Sequence, residues 1–217
     1  MSTLEIAKRV ENCILYTNGC IKIENVRFSY PHLSKPFAGK NDEGKTSTPK
    51  FGIVGMLPKK THVKAKDLIV EAMNSILAAN KDESGAPAKV GANKKFCRNG
   101  DDEEQESYAG HWIVSAREER RPSVRNKRGE VVSEPDKIAD MIYGGCWGSI
   151  LIRPWFQDGK KTGAGYGNRI NAGLVGVQFL RDDEAFGEGR IDDTDAWGNE
   201  DDGSGPSGDA MSDDDGL

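Results

Sequence analysis

Between Cys146 and Phe156 the chain alternates two kinds of side chain. Cys146, Gly148, Ile150, Ile152 and Phe156 fall on one face of an extended strand, and Trp147, Ser149, Leu151, Arg153 and Trp155 on the other. The first set is fit for a core. The second joins two indoles to a guanidinium, a combination that stacks on unpaired bases and contacts phosphate. Tryptophans also pack, and the competing reading places both rings under a helix or a loop.

A basic run follows an earlier strand. Arg117, Arg120, Arg121, Arg125, Lys127 and Arg128 lie within one short stretch, too many cations for a core, and fit either a phosphate-tracking arm or a solvated hairpin. Lys59, Lys60, Lys64 and Lys66 form a weaker second patch. Gly163, Gly165 and Gly167 resemble a phosphate loop only in spacing. A strand follows them where a phosphate loop needs a helix N-terminus, and no Gly-Lys-Ser/Thr ending is present. Lys160, Lys161, Tyr166 and Arg169 on that loop could still wrap a nucleic-acid strand. His32, His62 and His111 and the four cysteines are scattered, without the paired short spacing of a metal site or a nucleophile motif. The acidic run Asp101–Glu104 reads as a solvated loop, with a metal-dependent nuclease as the remote alternative. The expectation is a binding protein, with no catalysis, cofactor or metal.

The elements that would position these residues are mostly strands. Alternation marks strands from Cys20 (Ile21 and Ile23, then Val26 and Phe28 in the opposite phase, implying a bulge near Asn25), over Lys50–Leu57, Ala109–Ala116, Gly145–Gln157 and Ala172–Leu180. Tyr30-Pro31 is expected to end the first. Leu68, Ala72, Ile76 and Ala79 share a face with Ile69 and Met73, which gives one long helix over Val63–Ala79. Leu4, Ala7, Val10 and Ile14 suggest a short N-terminal helix, and Pro135–Ile142 one or two helical turns. Many short strands, one good helix and glycine-rich turns indicate a small antiparallel barrel with long loop insertions.

Charge divides the chain. It carries 30 Lys+Arg and 35 Asp+Glu, a net charge of −5. Ten of the acids lie in the last 26 residues, Asp192–Leu217, which hold no Lys or Arg. The preceding 191 residues therefore keep 30 basic against 25 acidic side chains, a formal +5. A basic body with an acidic Gly/Ser-rich tail suits nucleic-acid binding by the body; the alternative is an acidic-tailed protein-interaction or chaperone-like module. Lacking a signal peptide or a long apolar span, the chain is expected in the cytoplasm, away from membranes.

Several segments, in order, resemble a phage family long known only as a domain of unknown function: Asn25-Val26-Arg27-Phe28-Ser29-Tyr30-Pro31-His32-Leu33, Met56-Leu57-Pro58-Lys59, Tyr108-Ala109-Gly110-His111-Trp112, Arg120-Arg121-Pro122, Ile142-Tyr143-Gly144-Gly145-Cys146-Trp147 and Gly173-Leu174-Val175-Gly176-Val177-Gln178. Members are similar to phage single-stranded DNA-binding proteins. The resemblance implies an OB-fold, a five-stranded antiparallel barrel with an interposed helix, and a disordered acidic tail. It implies a protein that coats single-stranded DNA in replication, recombination or repair within the infected host cell. Duplex DNA is a second expected ligand, and replication or recombination proteins are expected partners of the tail. The expected divisions are an N-terminal extension (1–19), the DNA-binding domain (20–190) and the tail (191–217). The expected stacking residues are Trp112, Trp147, Trp155 and Tyr166, and the expected phosphate contacts Arg117, Arg120, Arg121, Arg153 and Arg169. The extension and the terminal Gly216-Leu217, in place of an aromatic tip, depart from the family pattern.

A flexible chain of the tail's length spans roughly 28 Å, against a radius of gyration near 16 Å for a compact body of this size. The tail is therefore expected to compete with DNA for the basic surface. Truncation after Ile191 should tighten oligonucleotide binding, most at low salt where exposed charges are least screened. Equal affinity of both forms in a low-salt titration would remove the tail from any gating role.

Overall fold

The computed structural model describes residues 4–39, 46–161 and 167–186. The tail, Tyr166 and residues 40–45 of the 38–49 loop lie outside the described residues.

Nine strands and two helices are described: β1 (Ile6–Val10), β2 (Cys13–Tyr16), β3 (Ile21–Phe37), β4 (Lys50–Pro58), α1 (Val63–Ala79), β5 (Cys97–Asn99), β6 (His111–Glu118), β7 (Ser123–Arg125), α2 (Pro135–Met141), β8 (Trp147–Gln157) and β9 (Arg169–Arg181). The sheet runs β5-β6-β4-β3-β8-β9-β7, with β2 also on β3 and β1 on β2. The sheet curls back on itself, because β7, at one end, is the continuation of β6, the strand next to the other end. The chain leaves β6 at Glu118, makes an excursion through 119–122, and returns as β7 beside β9, with Ser123 opposite Gly176 and Arg125 opposite Gln178. Phe96 bridges the seam lower down. Its N–H donates to the Ile170 carbonyl at 3.0 Å, and its carbonyl accepts the Ser115 N–H at 2.9 Å. One chain segment thus edges both β4 and β9 and curls the five long strands, β6-β4-β3-β8-β9, into the partly open barrel of an OB-fold. The β7–β9 pairing is parallel, so the barrel is not wholly antiparallel as expected from sequence.

The core lies inside this curl. Ile21, Ile23, Val26 and Phe28 of β3, Ile53 and Leu57 of β4, Val114 and Ala116 of β6, Ile150 and Ile152 of β8 and Ile170, Ala172 and Leu174 of β9 are all buried. Ala65, Leu68, Ile69, Ala72 and Met73 of α1 join them at helical spacing. Burying each Leu, Ile or Met contributes about 1.5–3 kcal/mol, which is why α1 forms over the expected residues without any side-chain cap at its start.

Two bulges set the phase of β3. The first lies between Ile23 and Val26, with Asn25 at φ 53°, and keeps Ile23 and Val26 both inward. The second corrects the expected strand end. At Tyr30 (φ 44°) the ladder steps three residues on β3 for two on β4, and the strand continues with Leu33 buried and His32 turned outward. The N-terminus is also corrected. Residues 6–16 are a hairpin turning at Asn12 (φ 59°), not a helix. The edge of β3 offers β2 a ladder and a place to bury Cys13 and Ile14, whereas a helix would bury little, since Leu4 and Ile6 are exposed.

Gly148 is where two strands and a ring converge. A Cβ there would stand 2.3 Å from the Gln178 carbonyl oxygen and 2.4 Å from the Phe28 ring. Neither a backbone carbonyl nor a fully buried ring can give way cheaply. Gly148→Ala should destabilise the protein by about 1–3 kcal/mol or more through overpacking, read as a lowered urea midpoint; an unchanged midpoint would contradict this packing.

Candidate nucleic-acid interface

The alternation in β8 holds in three dimensions. Its odd positions look outward, and β9 supplies their cross-strand neighbours: Trp155 faces Asn171, Arg153 faces Gly173, and Gln157 faces Arg169. Trp155 is 48% exposed, and Arg153 is exposed too. Asn171 is held by its amide, which donates to Gln157 Oε1 at 2.7 Å. Towards the other end of β8 the same outer face becomes a hollow of about 170 Å³ floored by Leu151, with Tyr16, Lys22, Arg125, Ser149 and Gln178 on its walls. Lys22 is anchored to Glu24 at 2.7 Å and Arg125 to the Gly129 carbonyl at 2.7 Å. Arg169, Trp155, Arg153, Lys22 and Arg125 therefore line one strip of the outer surface. Lys22 and Tyr16 were missed from the sequence, although Lys22 alternates with the core residues Ile21 and Ile23 and its outward position is legible from that.

The other sequence candidates fall elsewhere. Trp147 is on the same face of β8 but at its far end, under the segment that follows β9. Its indole N–H donates to Asp183, and the Arg181 guanidinium lies 4.3 Å over its ring. That segment is fastened by Arg27, which donates to the carbonyls of Gly145 (2.9 Å) and Glu184 (2.8 Å) and lies 4.4 Å over the Phe186 ring. The indole donation, then the Glu184 N–H, hold the Asp183 carboxyl below its ordinary value, so it keeps its charge. Trp112 is half-buried against the core, with Lys66 Nζ 5.8 Å over its ring.

The arginine run is divided. Arg121 is built into the fold, donating to the Ser34 carbonyl at 2.9 Å and the Ser133 carbonyl at 3.3 Å, and lying 5.3 Å over Phe51. Arg120 is exposed on the seam excursion. Arg117 is exposed and crosses β4, its Cγ 3.2 Å from where a Cβ on Gly52 would be. Beyond it, on β3, stand His32 and Phe37, whose rings stack at 4.6 Å and 12°. Burial first, and then the charge of Arg117, hold the His32 imidazole below its ordinary 6.5. Nothing in the sequence marked this pair, because the bulge at Tyr30 decides which way His32 faces.

The lysine patch and the acidic run neutralise each other in part. Lys59 pairs with Asp101, and Arg98 with Glu103; Lys64 approaches Glu11 at 3.7 Å. Among the described residues no three His, Cys, Asp or Glu side chains gather as metal ligands, and no helix is long and apolar enough to cross a membrane.

A family model described as Enterobacter phage Enc34, ssDNA-binding protein, matches residues 20–205. Among solved structures, the single-stranded DNA-binding protein from bacteriophage Enc34 is 42% identical, covering 90% of this chain and 99% of that one, with a TM-score of 0.75. The same protein in complex with ssDNA matches at 42% identity and a TM-score of 0.75, over 86% of this chain and 100% of that one. A single-stranded DNA-binding protein encoded by bacteriophage T7 shares the fold at a TM-score of 0.53 and 13% identity, over 79% of this chain and 96% of its own. Putative protein p50 of Acyrthosiphon pisum secondary endosymbiont phage 1 is 28% identical over 179 residues, 79% of this chain and 88% of the relative.

The two tryptophans of β8 should separate in stability. Trp155→Ala should leave the urea midpoint nearly unchanged, within about 0.5 kcal/mol, as for exposed sites. Trp147→Ala should cost about 1–3 kcal/mol through loss of its half-buried ring. Equal effects of the two substitutions would contradict the difference in their surroundings.

Proposed function

Because the chain belongs to the family of the Enterobacter phage Enc34 ssDNA-binding protein, we propose that it binds and coats single-stranded DNA in phage replication, recombination or repair. The observation that carries this reading is the 42% identity, over the full length of the matched chain, to a relative solved in complex with ssDNA. The proposed mechanism has two parts. Guanidinium and ammonium groups track phosphates and release counterions, and an exposed indole stacks on a base whatever its identity. Trp155, Arg153 and Arg169 on β8–β9, with Arg117 and Arg120 beyond the seam, are the proposed contacts; Arg121, Trp112 and Trp147 serve the fold first. Tyr166 remains a proposed contact on the loop between β8 and β9.

The protein acts stoichiometrically, with no reaction catalysed, in the cytoplasm of the infected host. The proposed DNA-binding domain spans 20–190. The acidic residues from 191 onward form a separate region that competes with DNA and recruits replication or recombination proteins. Duplex DNA, lacking exposed base faces, binds more weakly through phosphates alone.

Affinity for a labelled oligonucleotide should fall with salt at a log–log slope of about −0.7 per neutralised phosphate. Trp155→Ala should weaken binding by about 1–3 kcal/mol. Salt-insensitive binding, or a Trp155→Ala protein that binds like the parent, would count against this mechanism.

A further inference from the structure

A second place on the surface has the chemistry of a nucleotide seat, on the outer face of β3, β4 and β6. His32 of β3 is paired with Gly52 of β4, and Gly52 with Arg117 of β6. The three make a row across the sheet, its ends roughly 10 Å apart at two strand spacings. The middle of the row has no side chain. A Cβ on Gly52 would meet Arg117 Cγ at 3.2 Å and the Ala116 carbonyl oxygen at 3.3 Å, so glycine is what lets Arg117 lie flat towards His32.

Two irregularities of β3 build the aromatic end. The bulge at Tyr30 turns His32 out. Then β3 takes five residues, from His32 to Phe37, while β4 takes two, from Gly52 to Lys50. That step buckles 33–36 and brings the Phe37 ring back onto His32, with centroids 4.6 Å apart. Phe37 is 57% exposed, so the ring face turned away from His32 is open to a ligand. The imidazole beneath it, held below its ordinary 6.5 by burial and by Arg117, is uncharged at neutral pH and stacks as a neutral ring. Lys50, opposite Phe37, adds an ammonium 3.3 Å from Glu119.

We propose that Phe37, stacked on His32, and Arg117, lying across Gly52, form a seat for one nucleotide of single-stranded DNA. The base lies on the exposed face of Phe37 and a neighbouring phosphate is held by Arg117. This rests on the single-stranded DNA reading above, and adds to it two aromatic residues on a different part of the outer surface from Trp155. A ring platform beside a guanidinium matches the alternation of base and phosphate along one strand. A duplex hides its base faces and gains nothing from the ring.

The test is oligonucleotide titration of the full chain at fixed salt, with Phe37→Ala, Phe37→Trp, Gly52→Val and Trp155→Ala. Phe37→Ala should lower affinity for single-stranded DNA about 5- to 150-fold and leave duplex affinity within about twofold. Phe37→Trp keeps a stacking ring and should bind like the parent. Gly52→Val should lower affinity by filling the floor and lifting Arg117. The urea midpoint of Phe37→Ala should equal the parent's, since the ring is exposed; should Gly52→Val shift the midpoint, the Phe37 pair decides alone. If Phe37→Ala binds like the parent while Trp155→Ala is weakened, the seat is wrong and the single-stranded DNA reading stands. If Phe37→Trp loses as much as Phe37→Ala, stacking there is wrong. If the parent does not bind single-stranded DNA, both fall together.

Discussion

A curled sheet has two edges, and each must find main-chain partners or water for its N–H and C=O groups. Here a single stretch of chain, His111–Arg125, supplies both. It ladders onto β4 as β6, leaves the sheet at Glu118, and returns alongside β9 as β7. The remaining architecture depends on that closure. It encloses Phe28, Ile150, Ile152 and Leu174 on the inside and leaves the alternate positions of every long strand facing outward. It also explains the density of arginines at 117–121. The excursion between β6 and β7 must stay out of the ladder, and long cationic side chains can fold back to tie it down, as Arg121 does to Ser34, Ser133 and Phe51.

The outer surface is then shaped by small departures from regular strand. The bulges at Asn25 and Tyr30 each insert a residue into β3. The first keeps a continuous core along a strand that would otherwise change face. The second turns His32 outward beside Arg117. Glycines complete the picture where bulk would interfere: Gly148 lets Phe28 press against β8, and Gly52 lets Arg117 lie across β4. Backbone irregularity and missing side chains, more than any cluster of unusual residues, set what the surface presents.

How much of this was legible in the sequence follows from how local each signal is. The helix over Val63–Ala79 and the two faces of β8 rest on periodicity within one element, and both hold in the structure. The N-terminal hairpin was misread because Leu4, Ala7, Val10 and Ile14 fit a helical period, while the ladder offered by β3 lies outside that window. The parallel β7–β9 pairing joins residues about fifty positions apart, and no local pattern announces it. Trp147 and Trp155 are equivalent by alternation. Only Arg181 at the end of β9 and Asp183 just beyond it make one of them a packing residue. The His32–Phe37 stack was illegible for the same reason, since a bulge reverses the phase that alternation assumes.

The central claim is that single-stranded DNA lies on the outer faces of the barrel and stacks on exposed rings. Photo-cross-linking with an oligonucleotide carrying 5-iododeoxyuridine, followed by peptide mass spectrometry, tests it directly. The account predicts adducts on the β8 peptide at Trp155 and none at Trp112, whose ring is half-buried beside α1. Adducts at Trp112 or on α1, with Trp155 unmodified, would contradict it.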